Sequence, residues 1–125
     1  MTYIGYGSTG EVGGSPGDKN VALVPVYDVD AHNIYAFDED KLKPSNVCHG
    51  DSGGAALRYE EDVGYSLVGV SSAIFGGCEG GGSSAARVDG VLDFIDTLLL
   101  DYATNEQFSG ESVTDDTGGG SPGGF

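Results

Sequence analysis

The sequence predicts a mainly β protein that ends in one α-helix and a Gly-rich tail. Two runs rich in β-branched and aliphatic residues, 55–59 and 65–72, flank the charged stretch 60–64, a pattern typical of a β-hairpin. From residue 91 onward, apolar side chains recur at helical spacing, and these are Val91, Phe94, Ile95, Leu98 and Leu99. Short strands followed by one terminal helix are the order expected of a small β-barrel with a packed helix.

The N-terminal third predicts shorter elements. Residues 3–7 form a predicted strand, and residues 21–29 form an edge or interrupted strand, because Pro25 cannot donate to a sheet ladder. We expect a short helical turn over residues 31–37 that is capped by Asp30. These elements precede the predicted hairpin and complete the predicted strand set.

The C-terminal part divides into a helix and a tail. The predicted helix spans about residues 90–102, with Asp89 placed to cap its N-terminus. The segment that follows is polar and Gly-rich, and it cannot bury enough apolar surface to offset the entropy of ordering it. We therefore expect one folded unit over residues 1–102 and a disordered acidic, Gly- and Ser-rich tail over residues 103–125.

Charge and hydropathy exclude several function classes. The formal net charge is −15, from 20 acidic and 5 basic residues, which would repel phosphate backbones and anionic lipids. No apolar run reaches the length of about 18 residues that predicts a membrane span. We therefore expect neither nucleic-acid nor membrane binding.

Met1 is not followed by the basic and apolar segments of a secretion signal. The sequence also indicates no cofactor.

Residues 48–54, Cys-His-Gly-Asp-Ser-Gly-Gly, have the composition of a nucleophile presented on a tight turn. Glycines on both sides of Ser52 permit unusual backbone angles and close approach of a substrate. A serine hydroxyl attacks a carbonyl when a base takes its proton and backbone N–H groups hold the oxyanion. The composition alone is equally compatible with an ordinary loop.

The motif resembles the active-site signature of the trypsin/chymotrypsin family of serine proteases (peptidase S1). The resemblance extends to residues 67–72, which are similar to the family's substrate-binding strand, and to residues 86–88 and Phe94-Ile95, which are similar to its closing strand and C-terminal helix. Gly5-Tyr6-Gly7 resembles the Gly-Trp-Gly that opens the family's second barrel. The resemblance covers roughly residues 3–100. It implies the second six-stranded antiparallel β-barrel of a trypsin-like protease, the C-terminal half only.

By position, the resemblance implies a role for each residue of the motif. Ser52 is the nucleophile, and the Gly50 and Ser52 amides are the oxyanion donors. Asp51 is the acid that orders the oxyanion turn by pairing with a newly cut N-terminus in activated family members. Cys48 and Cys78 are implied to form a disulfide that closes a loop of about thirty residues. The cysteine pair and the family together predict a secreted, extracellular protein.

The resemblance also implies a substrate pocket. Its predicted residues are Asn46, Val47, His49, Ser71, Ser72, Ala73, Ile74 and Ser83. Asn46 stands where an aspartate would mark a preference for Lys or Arg, and Ile74 and Ser83 align with glycines of the pocket wall. The expected preference is therefore for small or medium uncharged side chains before the cut.

The family's histidine base and its aspartate come from a first barrel that this chain does not contain, so we expect an incomplete triad. His49 is expected at the pocket rim and His32 on the surface, neither as the base.

An acidic cluster suggests either a calcium site or a solvated face, and its members are Asp28, Asp30, Asp38, Glu39 and Asp40. The solvated face is favoured, because the spacing of these residues matches no known calcium-binding loop.

The leading hypothesis is a serine endopeptidase that hydrolyses polypeptides through an acyl-enzyme on Ser52. The chain is expected to be a truncated half, nearly inactive alone, that needs a partner or aggregates through an exposed apolar face. The alternative is a non-catalytic, protease-like module that binds an extended peptide along residues 71–73. A third possibility is reconstitution with a separate first-barrel chain.

Overall fold

A computed structural model describes residues 1–10, 16–40, 42 and 44–104. The described strands are β1 (Thr2–Gly5), β2 (Asn20–Leu23), β3 (Val26–Val29), β4 (Asn33–Phe37), β5 (Ala55–Glu60), β6 (Gly64–Phe75) and β7 (Gly82–Arg87). A 3-10 turn over Asp89–Val91 precedes α1, Leu92–Thr104. The chain divides into two compact units, Met1–Gly90, which contains the sheet, and Val91–Phe125, which contains α1.

The strands form one antiparallel sheet in the order β2-β1-β5-β6-β7-β4-β3. The strands at its two ends, β2 and β3, are consecutive in the chain and separated only by Val24 and Pro25. The first pairs with β1 and the second with β4, so this bent segment joins the two ends of the sheet into a barrel. Counted as one bent strand, β2 and β3 give the six strands that were predicted. The mainly β fold is therefore confirmed.

Proline explains the interruption of the bent strand. Pro25 has no N–H to donate to a neighbouring strand, whereas its carbonyl accepts a hydrogen bond from the Phe37 amide at 3.0 Å. One residue earlier, the Val24 amide donates to the Met1 carbonyl at 2.9 Å. The chain therefore changes partner, from β1 to β4, between Val24 and Pro25.

The barrel encloses a small core made largely of small side chains. The fully packed members are Tyr3, Val24, Ala36, Val47, Ala56 and Ala85. Tyr3 is the largest of them and is only 2 % exposed. Burial raises the pKa of the Tyr3 hydroxyl, and a hydrogen bond from Ser83 partly opposes this shift. Tyr3 thus fixes the first strand inside the barrel.

Residues 31–37 do not form the predicted helical turn. Asp30 Oδ1 accepts hydrogen bonds from the backbone amides of His32 and Asn33, both at 2.7 Å, and this closes a tight turn between β3 and β4. An aspartate that caps a helix satisfies the same backbone donors as one that closes a turn, so the cap signal did not distinguish the two. The residues after the turn instead continue as β4.

The two longest predicted elements are confirmed. Strands β5 and β6 pair from Ala55 opposite Val70 to Glu60 opposite Gly64, as the hairpin pattern predicted. Helix α1 reaches Thr104, two residues beyond the predicted boundary at 102. Most of the tail predicted to be disordered, residues 105–125, lies outside the described residues. In the part of the chain described, no helix is long and apolar enough to cross a membrane.

Candidate active site

A tight turn over residues 48–54 presents Ser52 at the surface. The Asp51 amide donates to the Cys48 carbonyl at 3.1 Å, and the Gly54 amide donates to the Asp51 carbonyl at 3.0 Å. Gly50 and Gly53 have φ angles of 93° and 85°, in the left-handed region that other residues rarely adopt. Glycine on both sides of Ser52 is therefore a requirement of the turn.

Strand β6 supports the turn from one side. The Gly53 amide donates to the Ser71 carbonyl at 2.8 Å, and the Ser71 amide donates to the Gly54 carbonyl at 2.9 Å. The Ser52 side chain is exposed, and its hydroxyl lies 3.5 Å from the Ser72 carbonyl oxygen in a long hydrogen bond. The register of β6 against β7 shifts at Ser72, which is the irregularity of a β-bulge. The bulge thus lies directly beside the exposed serine.

Asp51 ties the turn to the first strand. Its Oδ1 accepts a hydrogen bond from the Gly7 amide and its Oδ2 one from the Cys48 amide, each at 2.8 Å. A side chain on Gly5 would overlap the Asp51 carboxylate, and a Cβ on Gly7 would lie 2.5 Å from the His49 carbonyl oxygen. Both glycines of the Gly-Tyr-Gly segment are therefore needed for close packing. Sequence reasoning noted this segment but missed its contact with Asp51.

The amides of Gly50 and Ser52 are available to a ligand. Among the described residues, neither N–H has a hydrogen-bond acceptor. Both belong to residues that are exposed. Unpaired amides next to an exposed hydroxyl can stabilise negative charge on an oxygen that develops during attack by the serine.

A cavity of about 230 Å³, which we call the nucleophile pocket, opens beside Ser52. Its lining consists of Val47, Cys48, His49, Gly50, Ser52, Ser71, Ser72, Ala73 and Ile74. The fold therefore brings six of the eight predicted substrate-binding residues together around the serine. The remaining two, Asn46 and Ser83, do not line this pocket.

Asn46 and Ser83 serve as internal contacts. The Asn46 amide nitrogen donates weakly to the Gly77 and Gly82 carbonyls, at 3.4 and 3.5 Å, while its Oδ1 is buried without a partner in the described chain. Ser83 is 1 % exposed, and its hydroxyl donates to Tyr3 at 3.3 Å. Side chains alternate along β7, and this alternation turns Ser83 into the barrel together with Ala85.

Cys48 and Cys78 form a disulfide, with Cα atoms 4.9 Å apart. The pairing implied by the family resemblance is thereby confirmed. The bridge connects the start of the serine turn to the loop between β6 and β7. It therefore ties Cys48, which lines the nucleophile pocket, to that loop.

The two histidines of the chain differ in position. His49 is exposed and lines the nucleophile pocket, and its carbonyl accepts a hydrogen bond from the Ser8 amide at 2.8 Å. His32 lies in the turn between β3 and β4, where its carbonyl accepts from the Arg87 amide at 2.8 Å. Within the described residues, neither imidazole is hydrogen-bonded to Ser52.

Four of the five acidic residues of the cluster accept hydrogen bonds from backbone amides. Two backbone amides and the Tyr35 hydroxyl donate to Asp30, and these hydrogen bonds hold its pKa below the ordinary value. Asp38 accepts from the amides of Ser45 and Asp40, at 2.8 and 3.0 Å, which lowers its pKa as well. Over the described part of the chain, no group of three His, Cys, Asp or Glu side chains is placed to hold a metal ion.

An antiparallel barrel that presents a serine on a glycine turn, beside unpaired amides and a disulfide-braced pocket, defines a protein of the serine protease-like class. Residues 1–95 match the family model described as Trypsin. The chain therefore belongs to the trypsin family, whose proteases act on polypeptides. Comparison with curated protein sequences gives no match.

Proposed function

We propose that this chain is the nucleophile-bearing half of a serine endopeptidase. Ser52 attacks the carbonyl carbon of a peptide bond, and the Gly50 and Ser52 amides hold the oxygen as it becomes negative. The observation that carries the proposal is the exposed Ser52 hydroxyl beside two amides that have no acceptor in the described residues. This arrangement matches the needs of acyl transfer.

The reaction proceeds in two balanced steps. In the first, a bond forms between Ser52 Oγ and the carbonyl carbon, a base takes the hydroxyl proton, and the same base returns it to the leaving amine as the C–N bond breaks. In the second, water attacks the acyl-enzyme, its proton passes to the base, and Ser52 leaves as the alcohol. The products are a carboxylic acid and an amine.

In this proposal, the general base that takes the proton of Ser52 is supplied by a polypeptide segment outside the serine turn and its neighbouring strands. Neither His32 nor His49 hydrogen-bonds to Ser52 in the described chain, and the nearest acceptor of the Ser52 hydroxyl is a carbonyl oxygen. Loss of a triad base leaves only the catalysis that binding and the oxyanion donors supply. The chain alone is therefore expected to be nearly inactive.

An exposed apolar surface supports a partner that carries this base. On the β5–β6 hairpin, Leu57 faces Leu67 and Tyr59 faces Tyr65, and the two tyrosine rings lie 5.1 Å apart. Leu67, Tyr59 and Tyr65 are each more than half exposed. Large apolar patches of this kind mark interaction surfaces. The partner we propose is an N-terminal barrel half that covers this surface.

Asp51 is proposed to order the oxyanion turn. Its carboxylate satisfies the amides of Gly7 and Cys48 and so connects the turn to strand β1. In this proposal Asp51 acts through the backbone and does not touch the substrate. The pairing with a newly cut N-terminus that the family resemblance implies belongs to the same proposal.

The nucleophile pocket is proposed to accept small or medium uncharged side chains. Its lining carries no carboxylate, and Ile74 occupies part of its wall. Asn46 is neutral and lies outside the lining, so neither it nor any lining residue offers a negative charge to a Lys or Arg side chain. An extracellular location is part of the proposal, because disulfides persist in oxidising compartments.

Chemical rescue tests the nucleophile. The folded chain is treated with a fluorophosphonate probe in imidazole buffer and in phosphate buffer of the same pH, and labelling is read by intact mass. We expect labelling that rises with imidazole, which replaces the absent base, and none in Ser52→Ala. No labelling of the folded chain at any imidazole concentration would overturn the nucleophile assignment. Equal labelling in both buffers would place the base within this chain, and His49→Ala would then identify it.

The second candidate function is a peptide-binding module without catalysis. Ala73, Ile74 and Phe75 of β6 pair with β7 on one side, whereas pairing with β5 ends at Val70. A free strand edge of this kind binds extended peptides by added β-pairing. Peptide binding without imidazole-dependent labelling would favour the module over the protease.

A further inference from the structure

Asp89-Gly90 is the only Asp-Gly pair in the sequence. It follows strand β7 and opens the 3-10 turn that precedes α1. At such a pair the backbone nitrogen of the glycine can attack the side-chain carboxyl carbon of the aspartate, because glycine has no side chain to block the approach. The pair is therefore a chemically reactive point in the main chain.

The reaction open to this pair is isomerisation of the backbone. A bond forms between the Gly90 nitrogen and the carboxyl carbon of Asp89, the nitrogen loses its proton and the carboxyl group loses its hydroxyl, so water leaves and a cyclic succinimide remains. A second water molecule then opens the ring at either carbonyl. Opening at one carbonyl restores aspartate, whereas opening at the other leaves isoaspartate, in which the main chain runs through the former side chain.

The surroundings of the pair leave room for ring closure. A Cβ built on Gly90 would meet nothing within 4 Å. The Asp89 side chain is 55 % exposed, and the 3-10 turn is three residues long with none of them buried. Local opening of such a turn therefore exposes no core and requires little free energy. Access to the reacting atoms does not protect the pair.

An ion pair with Arg87 engages the reacting carboxylate. Arg87 Nε donates to Asp89 Oδ1 at 2.9 Å, and Arg87 Nη2 donates to Asp89 Oδ2 at 2.5 Å. The remaining nitrogen, Nη1, donates to the Asp30 carbonyl at 2.5 Å. The Arg87 side chain is only 28 % exposed, so the guanidinium is held between its partners. Paired hydrogen bonds of this kind fix the carboxylate as well as attract it.

This ion pair opposes ring closure in two ways. The hydrogen bonds from Arg87 lower the pKa of the Asp89 carboxyl, and the charge of Arg87 adds to this effect, while desolvation opposes it. An ionised carboxylate reacts poorly with an amide nitrogen, because its oxygen leaves readily only as water. Closure must also break both hydrogen bonds from the guanidinium. The reaction therefore requires release of the carboxylate from Arg87.

We propose that Asp89-Gly90 is a site of isoaspartate formation that the ion pair with Arg87 keeps unreactive in the folded chain. The inference is independent of the proposed function, because none of these three residues lines the nucleophile pocket. Isoaspartate here places an additional methylene in the main chain between β7 and α1. The connection between these two elements is thus the point at which the covalent backbone can change with age.

Incubation of the folded full chain at neutral pH tests the proposal. Protein isoaspartyl methyltransferase with a labelled methyl donor measures isoaspartate, and peptide mapping locates it. We expect Arg87→Gln, which loses the charge and the paired donors, to form isoaspartate at residue 89 about tenfold faster than the parent chain, because a rise of about one in the pKa increases the protonated fraction by that factor. Arg87→Gln/Gly90→Ala should lose this gain, since the added methyl group hinders the attack but meets nothing in the fold.

Tyr3→Phe is the control for unfolding, because it weakens a hydrogen bond in the core and leaves Arg87 and Asp89 unchanged. Its rate should equal that of the parent chain, and a gain as large as that of Arg87→Gln would overturn the proposal by showing that unfolding exposes the pair. Equal rates in Arg87→Gln and the parent would exclude Arg87 as the protecting group. Absence of isoaspartate at residue 89 from the urea-unfolded parent would exclude the site itself.

Discussion

The amide of Gly7 donates a hydrogen bond to the carboxylate of Asp51 at 2.8 Å, across 44 positions of sequence. This contact joins the segment just after β1 to the residue that precedes the exposed serine. The neighbouring amide of Ser8 donates to the His49 carbonyl at 2.8 Å. The geometry of the serine turn therefore depends on a segment that contributes no side chain to the nucleophile pocket.

Gly7→Ala should destabilise the fold by about 1 to 3 kcal/mol, because the new Cβ forces backbone apart in a packed region. It would lie 2.5 Å from the His49 carbonyl oxygen and 2.7 Å from Asp51 Oδ1. Urea denaturation measures the change. Gly90→Ala is the matched control, since a Cβ there meets nothing within 4 Å. Equal stability of the two variants would contradict the close packing described at Gly7.

Breaking the disulfide should lower the free energy of unfolding by about 3 to 4 kcal/mol, because the bridge restrains a long loop of the unfolded chain. Cys48 and Cys78 are separated by 30 positions. Denaturation with and without dithiothreitol measures the loss. The double variant Cys48→Ala/Cys78→Ala should be unaffected by the reductant, and a reductant effect in that variant would show that the loss has another cause.

Tyr3→Phe should lower the free energy of unfolding by about 1 to 3 kcal/mol, because it leaves the buried Ser83 hydroxyl without its acceptor. Replacing both partners, in Tyr3→Phe/Ser83→Ala, should lower the free energy of unfolding by less than the sum of the losses in the two single variants. A double-mutant cycle by urea denaturation measures this coupling. Strict additivity would mean that the 3.3 Å contact contributes nothing to stability.

Stability in acid should depend on Asp30. Hydrogen bonds lower its folded pKa below the ordinary value of 3.8, so the folded chain binds this proton less readily than the unfolded chain. The stabilisation is present above the ordinary pKa and is lost as the pH falls through the lowered one. Asp30→Asn keeps an acceptor for the turn but does not titrate.

Urea denaturation across the acid range checks this prediction. As the pH is lowered below about 4, the free energy of unfolding should decrease less steeply in Asp30→Asn than in the parent chain. Asp62→Asn is the control, because Asp62 has no hydrogen-bond partner among the described residues. The same slope in Asp30→Asn and the parent would exclude Asp30 as a source of acid sensitivity.

The sequence predicted the elements whose patterns are local. The β5–β6 hairpin and α1 follow from their own periodicity, and the serine turn follows from glycines that the backbone requires at Gly50 and Gly53. The segment after Asp30 was mispredicted, because one aspartate can close a turn or begin a helix. A local cap does not show whether the next residues will find strand partners.

The site was predictable where neighbours in sequence remain neighbours in space. The pocket residues on either side of Ser52 and along β6 came from the family resemblance, whose motifs are local, and the structure places them together beside Ser52. The position of Ser83 depends on strand alternation in β7 and on its contact with Tyr3, 80 positions away, which no local pattern reveals. The packing of Gly5 and Gly7 against Asp51 is equally non-local.

Closure of the barrel through the bend at Val24 and Pro25 has a kinetic consequence. The bend itself pairs with strands that are near in sequence, whereas the ring also needs β1 to pair with β5 and β4 to pair with β7, which join distant parts of the chain. The entropy of closing such loops is lost before the contacts repay it. Barrels of this kind fold over about milliseconds to seconds. The Asp51 carboxylate can accept the hydrogen bond of the Gly7 amide only after these two parts of the chain have met. We therefore expect the serine turn to be among the last regions to become ordered, and the nucleophile to be positioned only once the rest of the barrel has assembled.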